Sequence, residues 1–135
     1  MAYCTQQDMI DRYGEEELIQ LTDREQTGEI DATVLGAAID DATGTMDAYL
    51  GTRYTLPLAT VPAVLKRIGC DIARYLLHGN EAPESVADRN SVAIEFLQAV
   101  AKGDLDLAVG STSQNSGGVA FESGTSAFGE TENWP

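Results

Sequence analysis

The chain has 135 residues, enough for one domain with a modest core of its own. Its 22 Asp and Glu against 8 Lys and Arg give a formal net charge of -14, which excludes a broad basic face for gripping nucleic acid phosphates or anionic lipid heads. Hydrophobic residues make up 43% of it, which excludes disorder over the full length.

The start, Met1-Ala2-Tyr3-Cys4, runs directly into polar Thr5-Gln6-Gln7-Asp8, without the apolar core of a secretory signal. A reducing cytosol is therefore the expected place of synthesis. Cys4 and Cys70 stand in different parts of the chain with no CxxC or Cys/His spacing, and both are expected as free thiols. No apolar run approaches the ~20 residues of a membrane span, so no membrane contact is expected.

Thr5 with Asp8 three positions on reads as a capping box with Asp in place of Glu or Gln, opening a helix over Gln6 to Tyr13 that stops at Gly14. Glu15 to Leu21 forms a second short helix, with three glutamates in its first turn where the helix dipole favours them. Met9, Ile10, Leu18, Ile19 and Leu21 supply the apolar faces. Thr22 to Glu29 is a polar loop, and Asp31 then caps a long helix. Leu35, Ile39, Ala42, Met46 and Tyr49 form one apolar stripe along it. Gly36 and Gly44 weaken it by ~1 kcal/mol each relative to Ala, and offer places where another helix can approach closely. Gly51 ends it.

Thr52 to Pro62 is a connector interrupted by Pro57 and Pro62, with strand-like composition at Tyr54-Thr55-Leu56. Pro62 or Ala63 opens the next long helix, whose expected buried face is Val64, Leu65, Ile68, Ile72, Tyr75 and Leu76, and Gly79 ends it. Another begins near Pro83 and ends at Gly103. It buries Val86, Ala93, Leu97 and Val100, with Ile94 and Phe96 widening the face. Asp104-Leu105-Asp106-Leu107 alternates as a short half-buried strand or an extended exit would. The expected fold is mainly α: a four-helix-type bundle over residues 1–109, with short N-terminal helices and an extended Ser/Gly-rich arm over 110–135.

The arm holds a weak repeat, Val119-Ala120-Phe121-Glu122 and Ser126-Ala127-Phe128-Gly129, around Gly124. Its composition is that of a disordered tail in the isolated subunit. Val119, Phe121, Phe128 and Trp134 suit a segment that orders on a partner, since large apolar side chains are anchors rather than spacers.

Nothing in the chain has the pattern of a catalytic site: GxSxG, a Walker loop, HExxH and GxGxxG are all missing, and no enzyme activity and no cofactor are expected. His78, the single histidine, sits at a helix C-terminus and suits packing or capping there. Asp40, Asp41 and Asp47 share one helix and read as its solvated face. Asp104 and Asp106 depart from an EF-hand loop, and no metal is assigned. Arg53 either braces its loop by bonding helix-end carbonyls or pairs with a neighbouring subunit's carboxylates, and Tyr54 stands beside it. Arg67 and Arg74 share a helix face. They either meet acidic residues of another copy or form salt bridges within the chain.

The run Met46-Asp47-Ala48-Tyr49-Leu50-Gly51-Thr52-Arg53-Tyr54-Thr55-Leu56-Pro57-Leu58 carries a resemblance. Together with Ile39-Asp40-Asp41-Ala42, Val61-Pro62, Cys70-Asp71-Ile72-Ala73-Arg74-Tyr75-Leu76-Leu77, Tyr3-Cys4-Thr5 and Leu21-Thr22-Asp23, it resembles the Mu-like prophage proteins of the virion structural region. The resemblance covers about residues 1 to 103. It implies a helical head–tail connector of a tailed phage: a homo-oligomeric ring, commonly twelvefold, at the virion neck and assembled in the host cytoplasm. The portal protein would lie above it and a tail-side neck protein below. DNA would pass through the lumen without sequence-specific binding. Terminal extensions would hook onto the portal, which gives Val119, Phe121, Phe128 and Trp134 their expected role, with Arg53, Tyr54, Arg67 and Arg74 as candidates for the subunit interface. The rival expectations are another neck or tail-terminator component, and a small regulator or metal-dependent enzyme made alongside the structural proteins.

Overall fold

Most of the helices start where the sequence supplies a group to satisfy or dispense with the free amides of a first turn. In the computed structural model, which describes residues 2–107, Thr5 Oγ1 accepts the Asp8 amide at 3.1 Å and the Asp8 carboxylate accepts the Thr5 amide at 2.9 Å. This closes a capping box ahead of α1 (Gln6–Tyr13). Gly14, at a φ of 92° that a Cβ would strain, turns the chain into α2 (Glu15–Thr22). The Asp31 carboxylate accepts the Thr33 and Val34 amides and opens α3 (Ala32–Leu50). Pro62 and Pro83, which lack an amide hydrogen to satisfy, stand directly before α4 (Ala63–His78) and α5 (Glu84–Lys102). A 3-10 turn, Gly79–Glu81, links these last two helices.

The helices form a bundle built on the α3–α4 pair. Each of these two touches every other α-helix, while α5 on the one hand and α1 with α2 on the other pack onto both. The chain is thus mainly helical, as the sequence predicts. The centre is filled by Leu35, Met46, Leu50, Leu65, Ile68, Leu97 and Val100, all buried. Each such side chain contributes about 1.5–3 kcal/mol of burial.

Three local expectations change. The α4 face is wider than one stripe, with Leu65, Ile68, Gly69, Cys70, Asp71, Ile72, Ala73 and Leu77 all buried, because neighbours surround this helix. Leu76 is instead 41% exposed and lies along an open groove with Val34, Ala37 and Ala38. Gly44 admits no neighbouring helix, since a Cβ there would meet nothing, while a Cβ at Gly36 would meet only the side chain of Gln6, at the start of α1, at 3.5 Å. The close approach is at Gly69, where a Cβ would stand 3.4 Å from Met46 Sδ and 3.5 Å from Tyr3 Cβ. No strand forms among the described residues. Tyr54 to Leu56 lies in a turning connector, and residues 104–107 are an extended exit in which Leu107 is buried and Leu105 is 42% exposed.

His78 closes α4 with its Nε2 buried and unpartnered among the described residues. Asp40 and Asp41 are exposed on α3, as a solvated face should be. Among the described residues no three His, Cys, Asp or Glu side chains are grouped as a metal would need, and no helix is long and apolar enough to cross a membrane. The arm at 110–135, with Val119, Phe121, Phe128 and Trp134, lies outside the described residues.

Candidate functional site

Acidic side chains outnumber basic ones, 22 to 8. Three of the aspartates accept a hydrogen bond from a tyrosine hydroxyl. Tyr3, in the segment before α1, donates to Asp47 of α3. Tyr13 of α1 donates to the buried Asp71 of α4 at 2.7 Å. Tyr54 of the α3–α4 connector donates to Asp106 beyond α5 at 2.9 Å. Each bond ties elements far apart in sequence. A neutral phenol bonded to a carboxylate resists ionising, because a phenolate would be partly desolvated and would repel the acid beside it. Burial first, then the aspartate, accordingly pushes Tyr3 and Tyr13 well above the ordinary phenol range. Tyr54 is raised mainly by burial, against the Leu107 amide, which favours its ionised form.

The third bond belongs to a latch that ties residues 106 and 107, beyond α5, to the α3–α4 connector. Tyr54 Oη accepts the Leu107 amide at 2.8 Å while donating to Asp106. Arg53 Nη1 donates to the Val100 carbonyl at 3.1 Å, and its Nη2 lies 3.4 Å from Asp106. Gly103 ends α5 at a φ of 89°, and a Cβ there would stand 3.0 Å from Arg53 Nη1, so this glycine both turns the chain and makes room for the guanidinium. Leu107 is thereby held in the core at 8% exposure. Arg53 does bond a helix-end carbonyl, on α5 rather than on the helix it follows.

Arg74 is also engaged within the chain. Its guanidinium meets the Glu17 carboxylate through two bonds of 2.7 and 3.0 Å and lies 4.4 Å from the Tyr13 ring centre. Of the two sequence readings of Arg74, this is the intrachain one. Arg67, two turns earlier on α4, is exposed and makes no salt bridge among the described residues. The structure therefore brings Arg53 and Tyr54 together, and separates Arg67 from Arg74 by function although they share a helix. Sequence reasoning missed the partners: Val100, Asp106 and Leu107 for the latch, Glu17 and Tyr13 for Arg74, and Asp71, whose position on a buried stripe of α4 was the available signal.

The family model described as Bacteriophage Mu, Gp36 matches residues 3–123. The chain belongs to this family. It is 37% identical over 130 residues to the Mu-like prophage FluMu protein gp36 of Haemophilus influenzae, covering 94% of this chain and 92% of the relative. It is 34% identical over 111 residues to gene product J of Escherichia phage Mu, covering 81% of this chain and 78% of that protein. The Gp36 match runs past residue 103, where the resemblance read from sequence ended, through the latch and into the first half of the arm.

The latch makes a local prediction. Tyr54→Phe removes the acceptor of the Leu107 amide and the donor to Asp106. The expected loss is about 1 kcal/mol, or about fivefold faster hydrogen exchange at the Leu107 amide. Exchange at α4 amides should not change. Equal acceleration along α4 would mean that Tyr54 supports the whole bundle and not the exit alone.

Proposed function

We propose that this chain is a structural head–tail connector subunit of a Mu-like phage. Copies would assemble laterally into a ring below the portal, commonly twelvefold, with a tail-side neck protein beneath and DNA passing through the lumen. The observation that carries the reading is the latch: a phage protein of the Gp36 family invests Arg53, Tyr54, Asp106 and Gly103 in fixing the residues just before its C-terminal segment. A fixed departure point is what an assembly subunit needs if a terminal segment is to reach a partner in a set direction. The net charge of -14 suits a passage for DNA, because a surface of the same sign as the phosphates does not hold them.

Partner contacts divide along the same lines. The arm, through Val119, Phe121, Phe128 and Trp134, would engage the portal. Of the lateral candidates, Arg53, Tyr54 and Arg74 are engaged within their own chain, and Arg67, which makes no salt bridge among the described residues, would meet carboxylates of another copy.

The test is the mass of the purified protein by light scattering, alone and mixed with the portal. A closed ring, or a monomer that becomes a ring on the portal, is the expected result. A monomer indifferent to the portal at high concentration would overturn the connector reading. Cryo-microscopy of the virion would then assign another neck or tail-terminator position, or none.

A further inference from the structure

The basic side chains of this acidic chain are not spread evenly. Three of its eight, Arg12, Arg74 and Arg89, line one open cleft of about 510 Å³ together with Asp11, Tyr13 and Glu17. They come from α1, α4 and α5, so the packing of the bundle is what gathers them. Arg74 is spent on Glu17 through its two bonds, and Asp11 accepts from the Gln7 side chain at 2.9 Å. Arg12 and Arg89 are exposed and make no salt bridge among the described residues. Single exposed arginines are ordinarily just solvated. These two share a concavity, where field lines are focused and an opposite charge is drawn in.

The exposed carboxylates divide by position. Glu15 and Glu16 adjoin Glu17, and Asp88 adjoins Arg89, so these stand with the cleft itself, while Asp106 is held in the latch. Asp40 and Asp41 lie on α3, the long helix that lends no residue to the cleft. Ala37, Gly44 and Ala48 are exposed beside them at helical spacing, and a Cβ at Gly44 would meet nothing. The two carboxylates are thus the tallest groups on an uncovered, slender side of a helix, which is a shape that a cleft can receive.

We propose that the Arg12–Arg74–Arg89 cleft is a subunit interface that receives Asp40 and Asp41 on α3 of a second copy of this chain.

Arg12 and Arg89 supply the attraction, and Arg74, fixed by Glu17 and lying 4.4 Å from the Tyr13 ring centre, forms a firm wall between α1 and α4. Cleft and helix are different patches of one surface, so the contact is head-to-tail. Each copy offers its α3 to one neighbour and its cleft to the other, and such a contact closes into a ring when its rotation allows. The inference rests on the ring proposed above and names the surfaces that would build it. It also sets the cleft apart from Arg67, which lines no part of it.

Light scattering of the full-length chain, alone and with the portal, tests the pairing by exchange of charge. One variant carries Arg12→Glu with Arg89→Glu, and the other Asp40→Arg with Asp41→Arg. All four positions are exposed, so each variant should keep its thermal midpoint within a few degrees of wild type. Each variant alone sets like charge against like, and should associate at least about tenfold more weakly and form no ring. Mixed in equal amounts, the two should form one, because each then meets an opposite charge at both contacts. Misfolding of either variant would not be cured by mixing. Variants that close rings as readily as wild type would overturn the inference and leave the connector reading in place, and so would a mixture that stays unassembled. A cleft variant that forms rings but no longer joins the portal would overturn it too, and give the cleft to the portal. A wild-type chain that forms no ring with or without the portal would overturn the connector reading, and this contact with it.

Discussion

Raising the pH from about 9 to about 12 is expected to strip stability from this bundle faster than ordinary titration of surface groups would. Tyr3, Tyr13 and Tyr54 all hold their protons more tightly when folded than a free phenol does at 10.0. The sign follows from that direction. Below the unfolded value both states are protonated, and the contribution is whole. Above it the unfolded chain sheds phenol protons that the folded chain keeps, so unfolding is favoured more with each step until the folded phenols ionise. Each tyrosine adds a slope of at most about 1.4 kcal/mol per pH unit, lessened at half-buried Tyr13 and Tyr54 by the water that reaches them. Urea midpoints across this range measure the effect, and Tyr3→Phe and Tyr13→Phe isolate the phenols. Each variant should flatten the pH dependence. Tyr13→Phe should also cost about 1–3 kcal/mol at neutral pH, because buried Asp71 loses its donor. A wild-type midpoint that stays level to pH ~11 would mean that the phenols ionise as freely inside the bundle as outside.

That dependence follows from the composition. Where cations are scarce, a neutral donor is the available partner for an inward carboxylate, and it imposes no charge of its own to desolvate. Arg74 adds an ion pair, and its two bonds to Glu17 and stacking on Tyr13 place three groups of α1, α2 and α4 in one cluster. The exposed Lys66–Asp8 pair, at 3.6 Å, adds little beside these.

What the sequence could reveal divides along the line between local and tertiary physics. The helix ends were legible because a cap is a short-range event: Thr5 with Asp8, Asp31, Pro62, Pro83 and Gly103 each act within a few residues of themselves. The α3 stripe was legible for the same reason, since periodicity needs only one face to be covered. Leu76 and Leu77 were not, because α4 is enclosed on several sides and its covered arc depends on where neighbours stop. Gly36, Gly44 and Gly69 look alike in sequence, yet Gly44 faces nothing, Gly36 faces the tip of one side chain, and Gly69 stands against Met46, Tyr3 and Cys4. The latch joins residues that no spacing rule links, although Arg53 and Tyr54 could be singled out as an Arg–Tyr step outside a helix.

Deleting residues 111–135 is expected to leave a folded bundle that no longer joins the portal. The described core closes with Leu107, and the latch that holds it uses Arg53, Tyr54, Val100 and Asp106, all of which the truncated chain keeps. Its thermal midpoint should therefore stay within a few degrees of the full chain, roughly the effect of under 1 kcal/mol. Binding should respond differently, because buried aromatic anchors dominate interfaces: truncating one costs about 2 kcal/mol, or about thirtyfold in affinity. Phe121→Ser, Phe128→Ser and Trp134→Ser apply that reasoning one anchor at a time, and co-sedimentation with the portal reads each. A truncated chain that folds and co-assembles normally would remove the arm from the interface and leave the bundle surface around Arg67 to carry it. A truncated chain that fails to fold would instead place part of the arm within the subunit's own core. The single-anchor variants separate these cases, since a serine at an interface anchor weakens portal binding at unchanged midpoint, whereas a serine in a core lowers the midpoint by several degrees.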